Sequence, residues 1–355
     1  MFEPPRCPNA ACAMHSAPEP RFFTRQGFYR PKCRAVPVPR FCCRHCRRGF
    51  SRQTFRVDYR DHKPHLNARL FWLLASGVGL RHSARNLQLS RHCAELKFRK
   101  IARAAGQLHD NLLDPFRGGC ELEMDELVTF ESSRLVRPLT LPILIEARSL
   151  FVIAARSAPI RPSGKKSPKR AAAIARDEKR CGRRFDESKA CVSRVLASGA
   201  RCCKELALVV LRTDQKELYV PLAKQAFGER RLVHVRSSSK LPRTPANPIF
   251  RINFTAALAR DLNGRLRRRS WLASKKRSFL DLQLGLFMTY RNYIRRRVNR
   301  RPGTAAMKLG LMERALTPDE ALGWRQDWGE RSIHPTSDGR RSIAEVKALR
   351  RGAVA

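Results

Sequence analysis

The segment Leu122-Glu123-Met124-Asp125-Glu126-Leu127-Val128-Thr129-Phe130-Glu131 nearly alternates apolar and polar positions, as a half-buried β-strand requires. Asp125 sits in its middle. A strand carboxylate is costly unless it is a solvated surface charge or is held ready for a metal. Taken alone, Asp125 reads as a surface charge. A second acid changes that reading: the apolar run Leu206-Ala207-Leu208-Val209-Val210-Leu211 leads straight into Thr213-Asp214. Two carboxylates on different strands of one sheet could share a divalent cation, for which carboxylate oxygens are the natural ligands.

A different metal chemistry is written at the front of the chain. Cys7 and Cys12 form a C-x4-C knuckle, and Cys43 and Cys46 a C-x2-C knuckle. Two close cysteine pairs a few dozen residues apart suit a tetrahedral four-thiolate zinc site. Phe22-Phe23 and Phe28-Tyr29 supply apolar cover for a domain too small to fold without a staple. Cys33, Cys42, His15 and His45 are alternative ligands nearby. A four-thiolate set leaves no open position, so this zinc is structural rather than catalytic.

The chain's charge names its kind of partner. With 73 Lys+Arg against 30 Asp+Glu, 355 residues carry a net charge of +43, spread along the whole length. Such a field attracts a polyanion, and counterion release from nucleic acid would make binding steeply salt-dependent. Membrane-surface binding is the rival. It is disfavoured because the basic stretches are Arg-rich and lack one long amphipathic helix. The start of the chain has no signal-peptide pattern, and no window reaches the roughly 18–20 apolar residues of a bilayer span. The expectation is a soluble, cytoplasmic protein of two or three domains. In a reducing compartment its 12 cysteines are ligands or free thiols rather than disulfides.

The elements that would position these groups follow in order. Residues 1–52 are the zinc ribbon. In 60–112, Leu66, Leu70, Leu73 and Leu74 share one helical face, and Gly77-Val78-Gly79 then breaks the chain. A short helix from Leu80 to Leu87 follows, and Ser90 caps another through about Ala105. This is a helix-turn-helix pattern whose second helix would enter the major groove, with Arg91, His92, Glu95 and Arg99 on or near its exposed side. A plain helical bundle has the same periodicity. His109 and Cys93 read as bystanders.

Residues 118–300 read as a sheet domain. Leu141 to Glu146 and Leu150 to Ala155 are two further strands joined by a tight turn, followed by a solvated, partly disordered basic insert, 156–189. A helix from Ala190 to Cys203, the Asp214 strand, a helix from Tyr219 to Phe227 and a strand from Arg231 to Val235 complete an α/β order shared with RNase H-like nuclease folds. A helix then runs from Phe250 to about Arg269. The segment from Arg265 to Arg277 holds seven cations and no acid, among them Arg267, Arg268 and Arg269 beside Trp271. Cations around an aromatic suit backbone contact plus base stacking. Phe279 to Ile294 is a helix apolar nearly all round, hence packed on the sheet. Residues 301–355 read as small helices and loop.

The order of these parts resembles bacterial insertion-sequence transposases of the DDE class, in particular the zinc-ribbon-bearing IS-one-like and related group. The residues that carry the resemblance are Arg40-Phe41-Cys42-Cys43, Cys46 and Phe50-Ser51, then Met124-Asp125-Glu126, Thr213-Asp214-Gln215 and Arg251-Ile252-Asn253. The Arg265-to-Lys275 stretch completes the set, and together they span roughly residues 5–300. The resemblance implies an RNase H-like mixed sheet with flanking helices, and Mg²⁺ or Mn²⁺ held by Asp125, Asp214 and a third ligand. That third position usually carries Glu. Here Asn253 stands in it, with Asp261 as the fallback, and Lys275 would contact DNA near the scissile phosphate. The implied activity is DNA cleavage and strand transfer at element ends, by a homodimer or higher oligomer assembled on terminal inverted repeats. A regulator that keeps the ribbon and helix-turn-helix but has lost catalysis is the alternative.

Overall fold

The computed structural model describes residues 2–323, apart from Arg34, Pro115, Arg117, Lys165, Lys166, Ser239, Arg243 and residues 268–270. The chain opens on a short helix, α1 (Ala13–Ser16), and a three-stranded antiparallel sheet: β1 (Phe23–Tyr29), β2 (Val38–Cys43) and β3 (Gly49–Ser51). Phe22, Phe41, Phe50 and Phe55 form a small core of their own with Cys7, Cys12 and Cys43.

Three helices come next: α2 (Asn67–Ala75), α3 (Leu80–Asn86) and α4 (Arg91–Leu113). Ser90 caps α4 as its sequence position predicts, its hydroxyl accepting the Cys93 N–H at 3.1 Å. The helix runs on well past Ala105, because Leu108, His109 and Leu112 are buried further along it. Lys97 is buried as well, held by Asp61 at 3.1 Å and the Asn67 amide oxygen at 2.8 Å.

The central sheet is built from β4 (Glu121–Phe130), β5 (Pro138–Glu146), β6 (Phe151–Ala155), β7 (Ala158–Pro159), β8 (Val209–Asp214) and β9 (Leu232–Ser237). Its spatial order is β6-β5-β4-β8-β9, with β7 against β5. The first three strands form an antiparallel meander, whereas β8 and β9 run parallel to β4. The basic insert is more ordered than the sequence suggested. It contains α5 (Pro168–Cys181), a helix with no buried side chain, tied back by Asp177 to the Arg137 guanidinium at 2.9 Å. The other connections are α6 (Ser188–Cys202) and α7 (Tyr219–Phe227).

Past the sheet come α8 (Phe250–Leu262) and α9 (Arg277–Thr289), which continues into a π-helical turn at Tyr290–Ile294. A small hairpin, β10 (Arg296–Val298) with β11 (Arg301–Thr304), and the short α10 (Ala305–Lys308) and α11 (Pro318–Gly323) follow. The alternation of β4 divides the core. Leu122 and Met124 face α6 and α7, with Val192, Val195, Leu196 and Leu222. Leu127 faces the opposite layer with α2, α4, α8 and α9, so α2–α4 share a core with the sheet. The sum is a mixed α/β unit, one mixed sheet with helices on both faces. Among the described residues no helix is long and apolar enough to cross a membrane.

Candidate active site

Register decides where the two aspartates sit. The paired residues of β4 and β8 end at Glu123 opposite Arg212. Two residues further along each strand lie Asp125 and Asp214, so the strands carry the two acids level with one another, just past the end of the ladder. Side chains alternate along a strand. Val209 and Leu211 are buried in the same cluster as Leu122 and Met124, which leaves Arg212 and Asp214 on the face of Glu121, Glu123 and Asp125. An ion pair between Arg212 and Glu121, 3.2 Å apart, marks that shared face. Asp214 is the last residue of its strand, and carboxyl ends of parallel strands are where open α/β sheets place their ligands.

Both acids are half-buried, and each is fixed locally. Asp125 Oδ1 accepts the Glu126 N–H at 2.7 Å, and Asp214 Oδ1 accepts the Lys216 N–H at 3.1 Å. Glu126, on the opposite face of β4, is engaged by the Tyr219 hydroxyl at 2.8 Å and by Lys216 Nζ at 2.6 Å. Burial, reinforced by the negative charges of Glu126, Asp214 and Asp125, pushes the Tyr219 phenol well above its ordinary range. It remains a proton donor to Glu126 at any working pH.

The third position depends on α8. The N-terminus of that helix lies over the face of Asp125 and Asp214, because Glu123 Oε2 accepts the Ile252 N–H at 2.8 Å. Asn253 is the next residue and is half-buried. Asp261 lies at the far end of the same helix, exposed, where its carbonyl accepts from Arg267 at 3.2 Å. Sequence reasoning did not single out Glu123. Its side chain is 0% exposed, and burial raises its pKa against the pull of the Ile252 N–H and of Arg251, 3.5 Å away.

The candidate zinc ligands are a separate cluster. The sulfurs of Cys7, Cys12, Cys43 and Cys46 all lie within 4.8 Å of one another, with Cys7 to Cys46 at 3.5 Å and Cys12 to Cys43 at 3.8 Å. A tetrahedron with Zn–S bonds of about 2.3 Å has edges of roughly 3.8 Å, so the four sulfurs fit that ion. Burial pushes the Cys7 and Cys12 thiols up, a cost that a bound dication would remove. Of the alternatives, Cys33 is exposed and Cys42 Sγ is turned to the Arg47 carbonyl at 3.3 Å. His15 bonds the Cys7 carbonyl at 2.7 Å, and His45 stands 3.6 Å from Cys12 Sγ. Among the described residues these four cysteines are the one group of three or more His, Cys, Asp or Glu with clustered ligand atoms.

The candidate DNA-binding residues gather elsewhere. Arg91 and His92 are exposed at the start of α4, and Arg99 pairs with Glu95 at 2.8 Å. Arg267 and Lys275 are exposed, as is Trp271, at 95%. Arg268 and Arg269 lie outside the described residues. The helix expected to reach Arg269 stops at Leu262.

No protein-family model and no curated protein matches the chain. Among solved structures the chain is similar to the catalytic domain of Mos1 mariner transposase, with 13% identity and a TM-score of 0.24. The match covers 53% of this chain and 87% of that one. So low a score leaves fold and site to rest on this chain's own residues.

Proposed function

We propose that the chain is a metal-dependent DNA-cleaving and strand-transferring enzyme of the transposase kind. The observation that carries this reading is the level placement of Asp125 and Asp214 on adjacent parallel strands, on one face and at the carboxyl end of β8. An antiparallel meander followed by two strands parallel to the first is also the order expected of an RNase H-like sheet. Asp125 and Asp214 would hold Mg²⁺ or Mn²⁺, and Asn253 would offer a neutral amide oxygen from the start of α8. When bound, such ions activate a water or 3′-hydroxyl and stabilise the leaving oxygen of an in-line attack on a phosphodiester. The chain's own residues do the rest. Backbone N–H groups fix the two carboxylates, Glu123 holds α8 across them, and the surrounding cations draw the polyanion in. The zinc ribbon and the start of α4, with Arg91, His92 and Arg99, would recognise element ends. Cleaving paired ends calls for a dimer or larger assembly on DNA.

The test is nicking of duplex DNA taken from the sequence on either side of the coding region, with Mg²⁺ or Mn²⁺ and zinc-loaded protein. Asp125→Ala and Asp214→Ala should each slow nicking by about 100-fold or more while DNA affinity stays within about twofold. If both variants nick at the parental rate, the assignment of these two acids is wrong. One observation favours a second reading, that of a DNA-binding regulator without catalysis. Asn253 brings no charge, and among the described residues no third acid clusters with Asp125 and Asp214. That reading expects tight DNA binding and no nicking by the parental protein at any metal concentration.

A further inference from the structure

A cavity of about 620 Å³ opens between the α2–α3 turn, the first turns of α4, Gly264-Arg265 and the stretch from Trp271 to Lys276. It joins residues that the sequence keeps far apart. Its floor is apolar and aromatic: the Phe279 ring stacks on Phe98, their centroids 5.9 Å apart. Two guanidiniums flank that ring, Arg99 at 4.6 Å and Arg265 at 5.4 Å from its centroid. Burial holds the Arg265 pKa down, as expected of a cation kept over an aromatic floor instead of in water. The rim carries Arg81, Arg91, Lys275 and Lys276, all exposed and none in an ion pair among the described residues. The sole acid of the lining, Glu95, is already engaged by Arg99. Trp271 stands at the mouth, almost wholly in solvent.

The cavity's shape depends on two glycines. A Cβ on Gly79 would come within 2.4 Å of Leu272 Cδ2, and one on Gly264 within 2.8 Å of both Leu272 Cδ1 and the Gly77 carbonyl. Leu272 is thus seated between the α2–α3 turn and the start of the basic segment, and Trp271 is set beside it.

We propose that this cavity takes up an unpaired nucleobase of a bound DNA strand, with Trp271 stacking on the base and the rim cations holding its flanking phosphates. The inference rests on reading the chain as a DNA-binding protein. The aromatic floor offers a base face a surface to stack on, and the exposed cations around it match the charge of the backbone on either side. A duplex lying across the rim would leave both the aromatic floor and Trp271 unused. The base taken up is not at the point of reaction. Ser274, next to Lys275, accepts the Ser132 N–H at 2.7 Å, which ties this segment to the turn beyond β4. That turn lies roughly 20 Å along the chain from Asp125 at the rise of an extended strand. At about that separation, several nucleotides would lie between a base in the cavity and the two aspartates.

The experiment compares duplex DNA with the same duplex carrying one bulged 2-aminopurine, using zinc-loaded full chain without Mg²⁺ or Mn²⁺. Binding is read by anisotropy and base uptake by 2-aminopurine fluorescence. The bulged duplex should bind at least about tenfold tighter than the plain one, with quenching of the probe. Trp271→Ala should abolish that preference and the quenching while changing plain-duplex affinity by less than about twofold, and Trp271→Phe should restore most of both. Trp271 is surface-exposed, so its loss does not threaten folding. Parental protein that binds plain and bulged duplex equally, or Trp271→Ala protein that keeps the preference, would overturn the proposal and leave the rim as a backbone-binding surface. Asp125→Ala protein, which cannot nick on the reading above, should keep the bulge preference in full, so failure of the active-site reading is distinguishable from failure here. Parental protein that binds neither DNA overturns both.

Discussion

Glu123 shows how one residue can be hidden from sequence yet set the geometry of a site. Alternation along β4 marks Asp125 as a strand acid. The same alternation lets Glu123, two residues earlier on that face, pass as a solvated position. Its partner, the Ile252 N–H, lies 129 residues further along the chain, beyond the reach of any local pattern. A carboxylate at a helix N-terminus is stabilised by the helix dipole, but full burial penalises its charged form, and Oε1 makes no hydrogen bond. Burial wins, and the pKa is raised above the ordinary 4.5. A raised carboxyl pKa means that the folded state holds the proton more tightly than the unfolded state. The stabilising contribution is therefore present in full below about pH 4.5 and is lost as pH rises through the folded-state value. Glu123→Gln keeps an acceptor for Ile252 without the charge. At pH 7.5 it should be as stable as the parent or up to about 1 kcal/mol more stable, with the difference vanishing toward pH 4.5. Glu123→Ala should lose about 1–3 kcal/mol at either pH, since the Ile252 N–H is left unpaired. Denaturant melts at pH 4.5, 6 and 7.5 check this, and a Gln variant weakened most at pH 7.5 would contradict it.

At the scale of elements, the sequence declared what local chemistry controls and missed what packing controls. The Ser90 cap, the Tyr219–Phe227 helix and the strands of the meander all follow from local signals. The end of α8 carries a local signal too, since Asn263-Gly264 is a break pair. Asn263 turns its amide back to the Ala259 carbonyl at 2.8 Å, and Gly264 must press against the Gly77 carbonyl, so the helix stops. The length of α4 is a tertiary effect. His109 sits inside the core, its Nε2 3.1 Å from the Ile153 carbonyl and its Nδ1 3.2 Å from the Tyr293 hydroxyl, and only the sheet supplies those partners. The ribbon is the opposite case, an element whose stability is local to four cysteines and a few phenylalanines. Its core is separate from those of the sheet. Stripping zinc with a chelator should unfold residues 1–52 while the sheet stays folded, because structural zinc supplies most of the folding free energy of so small a unit. Hydrogen exchange resolves the two. Loss of protection in β1–β3, with β4 and β5 unchanged, is expected, and a ribbon still protected after metal removal would dismiss zinc as its staple.

For the whole molecule the dominant quantity is charge, and it bears on function more than on fold. A chain at +43 repels itself and is poised to gather a polyanion. Ion pairs neutralise only some of the cations, as where Arg148, Lys216, Arg137 and Arg314 meet Glu121, Glu126, Asp177 and Glu320. The exposed cations around the cavity and along α5 have no such match in number. DNA binding should then be driven by counterion release, which fixes a slope instead of a single affinity. If about six phosphates are neutralised, log affinity falls with log salt at a slope of about −5, so plain-duplex binding weakens about 10³-fold between 50 and 200 mM salt. Arg91→Ala and Lys275→Ala should each flatten that slope by about one, whereas Trp271→Ala should leave it unchanged, because stacking releases no counterions. The distinction separates the two roles assigned to one surface. Cations bring the backbone in regardless of sequence or pairing, and the aromatic group adds a term that salt does not screen. A slope shallower than about −2, or an affinity for anionic vesicles equal to that for duplex DNA, would mean that the positive field serves some other anionic surface.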